Sequence, residues 1–169
     1  MIKDFKAEVF RIFDEKWALV TAGTVSDFNT MTISWGTLGS LWGHQNQGKN
    51  ICTVFVKPAR YTHKYMDENE YFTVSFFGKE YLKALGILGS KSGRDENKVE
   101  LSGLTPVALE HSITFEEAET TLVLRKIYRH DMDKRFMPAD VVETFYKTEE
   151  LKDIPHTMYI GEVVEMITK

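Results

Sequence analysis

The stretch Asn29-Thr30-Met31-Thr32-Ile33-Ser34-Trp35 alternates without a break, and no other feature constrains the fold of this chain as tightly. Thr30, Thr32 and Ser34 fall on one face of an extended segment, and Met31, Ile33 and Trp35 on the other. A period of two is the mark of a β-strand. An ordinary half-buried strand sets apolar residues against charged ones, yet here the polar face carries hydroxyls and no charge. Two explanations stand side by side. Hydroxyls on a rigid strand suit a heteroaromatic ring or a phosphate, because each donates and accepts; equally, β-branched threonine simply favours strands.

The rest of the chain reads as strands with short helices between them. Residues 1–15 form a lead-in. Apolar runs at 17–22 and 51–56 have strand length, and 71–77 alternates. Asp27-Phe28-Asn29 is expected to turn the chain, and Gly36, Gly39 and Gly43 to make a flexible connection around Leu41 and Trp42. A short amphipathic helix is predicted over 61–69, with Tyr61 and Tyr65 on one face. A weaker helix spans 80–88 and stops at Gly89. Ser92 with Asp95 resembles a capping box for a helix over 94–101. Residues 105–115 and 120–128 are expected to pair as a hairpin around Glu116–Glu119. Residues 129–155, with a helix at 139–146, leave the pattern as an excursion before a last strand at 157–167. Six or seven strands without βαβ alternation imply a mainly antiparallel barrel. The 169 residues are one domain's worth.

Composition removes whole classes of function. A net charge of −4 and a pI near 5.8 argue against nucleic acid as a partner. The single cysteine, Cys52, excludes an intrachain disulfide and a cysteine-built metal site, and it sits in an apolar run that would bury it. His44 and His63 lack metal-ligand spacing and read as surface residues. No run approaches membrane-spanning length, so a cytoplasmic location away from membranes is expected. No Gly-x-Gly-x-x-Gly or Walker loop is present, nor a nucleophile–base–orienter set.

Arg60 follows Pro58 at the start of a predicted helix, with Thr62 two positions on; a guanidinium beside helix N-terminal amides makes an anion site. Ser90, Ser92 and the Gly93 amide form a second turn rich in donors, and Lys98 lies one helical turn past Arg94. Each of these also has a plain reading, a solvated arginine or a helix cap. His156, ahead of the last strand, is by itself an ordinary strand-end histidine.

Four stretches, in this order, resemble the flavin reductase-like family: residues 29–35, Lys57-Pro58-Ala59-Arg60-Tyr61-Thr62, Gly89-Ser90-Lys91-Ser92-Gly93-Arg94-Asp95, and His156-Thr157-Met158-Tyr159-Ile160-Gly161-Glu162-Val163. The resemblance covers about Trp17 to Val164. It implies an FMN-binding split β-barrel of Greek-key type, a homodimer with the flavin at the subunit boundary, and one such domain over 1–169. It also implies FMN as cofactor, NADH or NADPH as electron donor, and free flavin, ferric iron or a redox-partner protein as acceptor. A flavoredoxin-like carrier without a nicotinamide site, and a non-catalytic flavin-binding barrel, are the alternatives. Under this resemblance Asn29, Met31, Thr32 and Ser34 meet the polar edge of the flavin ring and Trp35 packs beside it. Arg60, Tyr61, Thr62, Ser90, Ser92 and Lys98 hold the phosphate end, and His156 lies near the ring.

Overall fold

The computed structural model describes residues 2–169. Its strands are β1 (Ala18–Thr24), β2 (Asp27–Ile33), β3 (Gly36–Leu41), β4 (Lys49–Val56), β5 (Tyr71–Phe76), β6 (Pro106–Ala108), β7 (Ile113–Phe115), β8 (Thr120–Asp131) and β9 (Thr157–Thr168). Its helices are α1 (Thr62–Glu68), α2 (Leu82–Ser90), α3 (Lys98–Ser102) and α4 (Ala139–Phe145). Seven strands form one antiparallel sheet in the order β2-β1-β5-β8-β9-β4-β3, and β6 and β7 make a separate hairpin. Among the described residues no helix is long and apolar enough to cross a membrane.

The strand order carries its own geometric demand. β2 and β3 are the two edges of the sheet, yet only Ser34 and Trp35 separate them in the chain. In a flat sheet, six inter-strand spacings would hold these edges about 29 Å apart. Three peptide steps reach at most about 11 Å. The sheet therefore curls until its edges meet at the Ser34–Trp35 corner, and the result is a barrel split between β2 and β3.

Alternation fills the barrel. Ala18, Val20 and Ala22 of β1, Phe72, Val74 and Phe76 of β5, and Cys52, Val54 and Val56 of β4 point into one buried cluster with Met31, Ile33, Leu122 and Leu124. The outer face of β1 is covered as well: Leu19 packs with Leu85, Leu88, Leu104 and Phe115 beneath α2 and the β6–β7 hairpin. Burial on both faces is why β1 reads as an unbroken apolar run.

The sequence expectations need correction at five places. The β1–β2 turn is at Val25-Ser26, and residues 27–29 already belong to β2. The glycine-rich connection after residue 35 is a strand, β3, held by its register with β4 from Gly36↔Val54 to Leu41↔Lys49. Residues 105–115 fold back on themselves as β6–β7, while β8 pairs with β5 and β9. α2 runs through Gly89 to Ser90, and Gly89 there serves close packing on Thr32 of β2, where a Cβ would come within 3.2 Å of the Thr32 Cβ. The helix expected at 94–101 is shorter, α3, and its cap is Asn97 rather than Ser92. The Asn97 side chain accepts from Glu100 N and donates to Glu100 Oε2, a reciprocal box.

Gly161 of β9 faces the barrel interior, where a Cβ would lie 2.7 Å from the Phe72 ring and 2.8 Å from Leu124 Cβ. Gly161→Ala is expected to destabilise the protein by about 1–3 kcal/mol, the cost of overpacking a filled core. Urea denaturation of both proteins measures it; a change below about 0.5 kcal/mol would mean that the barrel is looser than described.

Candidate functional site

β2 carries a polar start and an aromatic end, and each belongs to a distinct half of the site. About five residues separate Asn29 from Ser34, roughly 17 Å along the strand.

At the polar end, Asn29 is buried and its Nδ2 donates to Thr62 Oγ1 at 2.7 Å. Gly93 lies directly against Asn29, so that a Cβ there would come within 2.2 Å of its Oδ1. Two cations arrive beside them. The half-buried Arg60 guanidinium donates to Gly89 O, and buried Lys98 Nζ donates to Leu88 O at 3.1 Å and Lys91 O at 3.2 Å. Both meet the carbonyl end of α2, while Arg60 stands at the entry to α1, two residues before Thr62. Among the described residues neither cation has a carboxylate partner. Burial lowers the Arg60 pKa. Burial, and then the charge of Arg60, push the Lys98 ammonium down to about 8. A helix C-terminus supplies only about half a negative charge, so the pair keeps a surplus of positive charge out of water. Such a surplus is the electrostatic requirement for an anion site.

The neighbouring expected residues divide. Tyr61 packs edge-on to Tyr65 at 5.3 Å, and the Arg94 guanidinium covers its ring at 5.0 Å. Ser92 Oγ accepts from Arg94 N at 3.3 Å, a local turn beside the cations. Ser90 is exposed and turns its hydroxyl back to Gly86 O and Ile87 O, so it is committed to its own helix.

At the aromatic end a cavity of about 300 Å³ opens beside the Ser34–Trp35 corner, walled by Met31, Phe55, Lys57, Phe145 and His156. The Trp35 ring lies 4.7 Å from His156 and edge-on to Phe145 at 5.3 Å. His156 Nδ1 hydrogen-bonds the Tyr146 hydroxyl at 2.8 Å. Burial, with a contribution from the Lys57 charge, pushes the His156 pKa down to about 4, so the imidazole is neutral at pH 7. Lys57 Nζ donates to Phe145 O at 3.2 Å and Lys152 O at 2.8 Å, tying over the cavity the excursion expected at 129–155, which spans 132–156 because β8 continues to Asp131.

The hydroxyl face of β2 is largely spent on the protein itself. Thr30 Oγ1 pairs with Thr21 Oγ1 at 2.7 Å, and Thr32 Oγ1 donates to Leu85 O at 2.5 Å. Thr32 still lines the cavity with Ser34, but as an acceptor, its proton being engaged. Lys57, Phe145 and Tyr146 escaped the sequence reading. Lys57 lies inside a quoted motif, whereas Phe145 and Tyr146 carry no local signal. His63, expected at the surface, is half-buried with Nε2 2.8 Å from Thr157 Oγ1. No cluster of metal-ligating side chains occurs among the described residues.

A family model described as flavin reductase like domain matches residues 10–169. No curated protein sequence matches the chain. Among solved structures, flavoredoxin from Methanosarcina acetivorans is similar with a TM-score of 0.68 at 18% identity, over 98% of this chain and 74% of its own. An FMN-binding protein from Thermus thermophilus, with 1-cyclohex-2-enone bound, has a TM-score of 0.68 at 18% identity, over 98% and 79%. Flavoredoxin of Desulfovibrio vulgaris (Miyazaki F) has a TM-score of 0.66 at 21% identity, over 98% and 76%. At such identities the likeness concerns the fold.

The His156 environment makes a direct prediction. Its folded pKa lies below the usual histidine value, so between about pH 6.5 and 4 the unfolded chain takes a proton that the folded one refuses. Stability is therefore lost as pH falls through that window, and His156→Asn should remove that part of the loss. Nitrogen chemical shifts of the ring across pH 3.5–8 provide the check. A midpoint near 6.5 would contradict the described burial.

Proposed function

The chain belongs to the flavin reductase-like family, and from that premise we propose that it is an FMN-dependent oxidoreductase, with NADH or NADPH as electron donor. The observation that carries the cofactor is the Arg60–Lys98 pair: two desolvated cations without a carboxylate partner among the described residues, and Asn29, Thr62 and Gly93 packed beside them. Their chemistry fits the phosphate of FMN. Bound FMN supplies the hydride and electron chemistry itself, while the protein holds and tunes it.

The residues of this chain do the rest. Arg60 and Lys98 neutralise the phosphate, with Thr62, Tyr61 and Ser92 around it; Ser90 stands at the rim. The backbone of Asn29 to Ser34 runs from that end to the aromatic cavity, where Thr32 and Ser34 meet the polar edge of the ring and Trp35 packs beside it. Neutral His156, held by Tyr146, adds a hydrogen-bonding group without adding charge. Lys57 and Phe145 exclude water by keeping the excursion closed. The whole chain acts as one domain.

A homodimer is part of this reading. The outer edge of β3 is unpaired among the described residues, and edges of this kind are usually covered. Beside it runs an apolar groove that includes Phe10, 92% exposed, with Trp35, Leu38 and Phe55. Acceptors consistent with the site are free flavin, ferric iron or a partner protein.

The carrier alternative has its own support: Trp35 and Phe145 in edge contact leave a narrow cavity for a nicotinamide ring. Anaerobic mixing of the FMN-loaded protein with NADH and with NADPH separates the two. Rapid bleaching of the flavin band supports the reductase. Bleaching only by dithionite or a reduced partner supports the carrier.

The phosphate assignment is tested at Arg60. A charged hydrogen bond contributes about 1.5–3 kcal/mol, so Arg60→Ala is expected to weaken FMN binding about 10- to 150-fold. Riboflavin, which lacks the phosphate, should be affected far less. Fluorescence titration of both flavins into apoprotein measures this, and equal losses would make Arg60 a support of the fold instead.

A further inference from the structure

Lys57 is the one cation on the wall of the aromatic cavity, and among the described residues no carboxylate lines that wall. Its ammonium is held without being neutralised. An ammonium has three N–H donors; Lys57 gives two of them to main-chain carbonyls of the excursion, Phe145 O and Lys152 O. The Tyr146 ring centre lies 5.3 Å from Nζ. Asp153, next to Lys152 in the chain, turns instead to Thr148, accepting from its N at 3.1 Å and its Oγ1 at 2.7 Å. Other charges of the excursion pair with one another: Lys134 with Glu149, Arg135 with Asp133, Lys147 with Glu143 and Lys152 with Glu150. His156 is neutral at pH 7, and burial raises the Tyr146 pKa, so the phenol keeps its proton. The cavity wall therefore carries a single positive charge, at Lys57 Nζ. A space of 300 Å³ is about 7 Å across, and over that distance a unit charge in an effective dielectric of about 20 shifts an equilibrium by more than about tenfold.

We propose that Lys57 raises the reduction potential of the flavin by favouring the reduced ring over the oxidised one, and that the excursion serves to hold this charge on the cavity wall. The inference rests on the reading that the ring occupies the aromatic cavity. Charge balance gives the reason. The oxidised ring is neutral. Two electrons with two protons leave the reduced ring neutral, whereas two electrons with one proton leave it an anion. Only the anion interacts charge to charge with the ammonium. Lys57 therefore favours uptake of two electrons with one proton. The choice of partners serves the same end: a carboxylate in place of the Phe145 and Lys152 carbonyls would cancel the charge, while carbonyl dipoles fix the ammonium and leave its charge acting across the cavity. The excursion thus tunes the flavin as well as covering it.

The test is the midpoint potential of the FMN-loaded protein, titrated with dithionite against reference dyes, for wild type, Lys57→Gln and Lys57→Arg. Glutamine keeps donors for the two carbonyls and removes the charge; arginine keeps the charge. Lys57→Gln should favour reduced FMN at least about tenfold less than wild type, a fall of about 30 mV for a two-electron couple. Lys57→Arg should stay within about twofold. A glutamine variant within about twofold of wild type would overturn the proposal, as would an arginine variant that falls as far as glutamine. A second measurement needs no variant. The potential changes by about 30 mV per pH unit when one proton accompanies two electrons, and by about twice that when two do. Free FMN passes from the steeper slope to the shallower as pH rises; FMN in the wild-type protein should pass at a pH at least about one unit lower. Passage at the same pH or higher would contradict the proposal. The His156 ring resonances separate this inference from the reading beneath it. FMN loading should move them; if FMN binds and they stay, the ring lies elsewhere and both fall. Moved resonances with an unchanged potential in Lys57→Gln remove the inference alone.

Discussion

Ser34 and Trp35 tie the two edges of a seven-stranded sheet together, and the rest of the molecule depends on that tie. A sheet of this width left open would keep β2 and β3 tens of ångströms apart. Joined through two residues, it curls. Curling turns Ala18, Val54, Phe72 and Leu124 toward one another as a core. It also brings the loop after β4, with Lys57 and Arg60, round to the two ends of β2. The corner that closes the barrel is thus the corner at which the aromatic cavity forms, with Trp35 as its wall. One geometric demand sets both the fold and the placement of the site.

The polar half of the site is an electrostatic compromise. Lys98 is buried with its charge opposed by burial and by Arg60, and only the carbonyls at the end of α2 offset this. A stable apoprotein gains nothing from two cations gathered there; a leucine in place of Lys98 would avoid the desolvation. The arrangement becomes favourable when an anion is added, because the partner charge then interacts through a dry medium. The aromatic half follows the opposite logic. Burial keeps His156 neutral, so that end of β2 carries no formal charge on its imidazole. One strand therefore runs from an end with two buried cations to a ring-lined end whose one cation, Lys57, is held by the Phe145 and Lys152 carbonyls.

The sequence reveals those parts in which a strand or helix is marked by its own side chains. β1, β2, β4, β5 and β9 are legible because their residue types alternate or form an unbroken apolar run. β3 is not: Gly36, Gly39 and Ser40 carry no strand signal, and its conformation comes from pairing with β4. The β6–β7 hairpin escapes for a related reason, since three-residue strands are too short to show a period. The sequence offers Ser92 as the helix cap, whereas the cap is Asn97, because Glu100 answers it on both sides. At the site, the motifs, with the spacing of Lys98 from Arg94, single out Asn29, Arg60, Thr62, Lys98 and His156; Asn29 bonds Thr62, and Arg60 and Lys98 meet at the end of α2. They do not reveal that Thr32 is held by Leu85, because Gly89, 57 residues away in sequence, is what lets α2 approach. Nor do they reveal that Tyr146 holds His156. Such contacts belong to tertiary packing.

The central claim is that buried Lys98, beside Arg60, waits for an anion, and proton uptake tests it most directly. Near pH 8.5 about half or more of the Lys98 amines are neutral, while the FMN phosphate, with its second pKa near 6, is already a dianion. FMN binding should then draw a proton onto Lys98, because a bound dianion favours the ammonium. Calorimetric titrations at pH 8.5 in two buffers of different ionisation enthalpy report the number of protons taken up. The account predicts uptake of about three-quarters of a proton per FMN, little or none for riboflavin, and its loss in Lys98→Met. Equal uptake for FMN and riboflavin, or the same uptake in Lys98→Met, would contradict it.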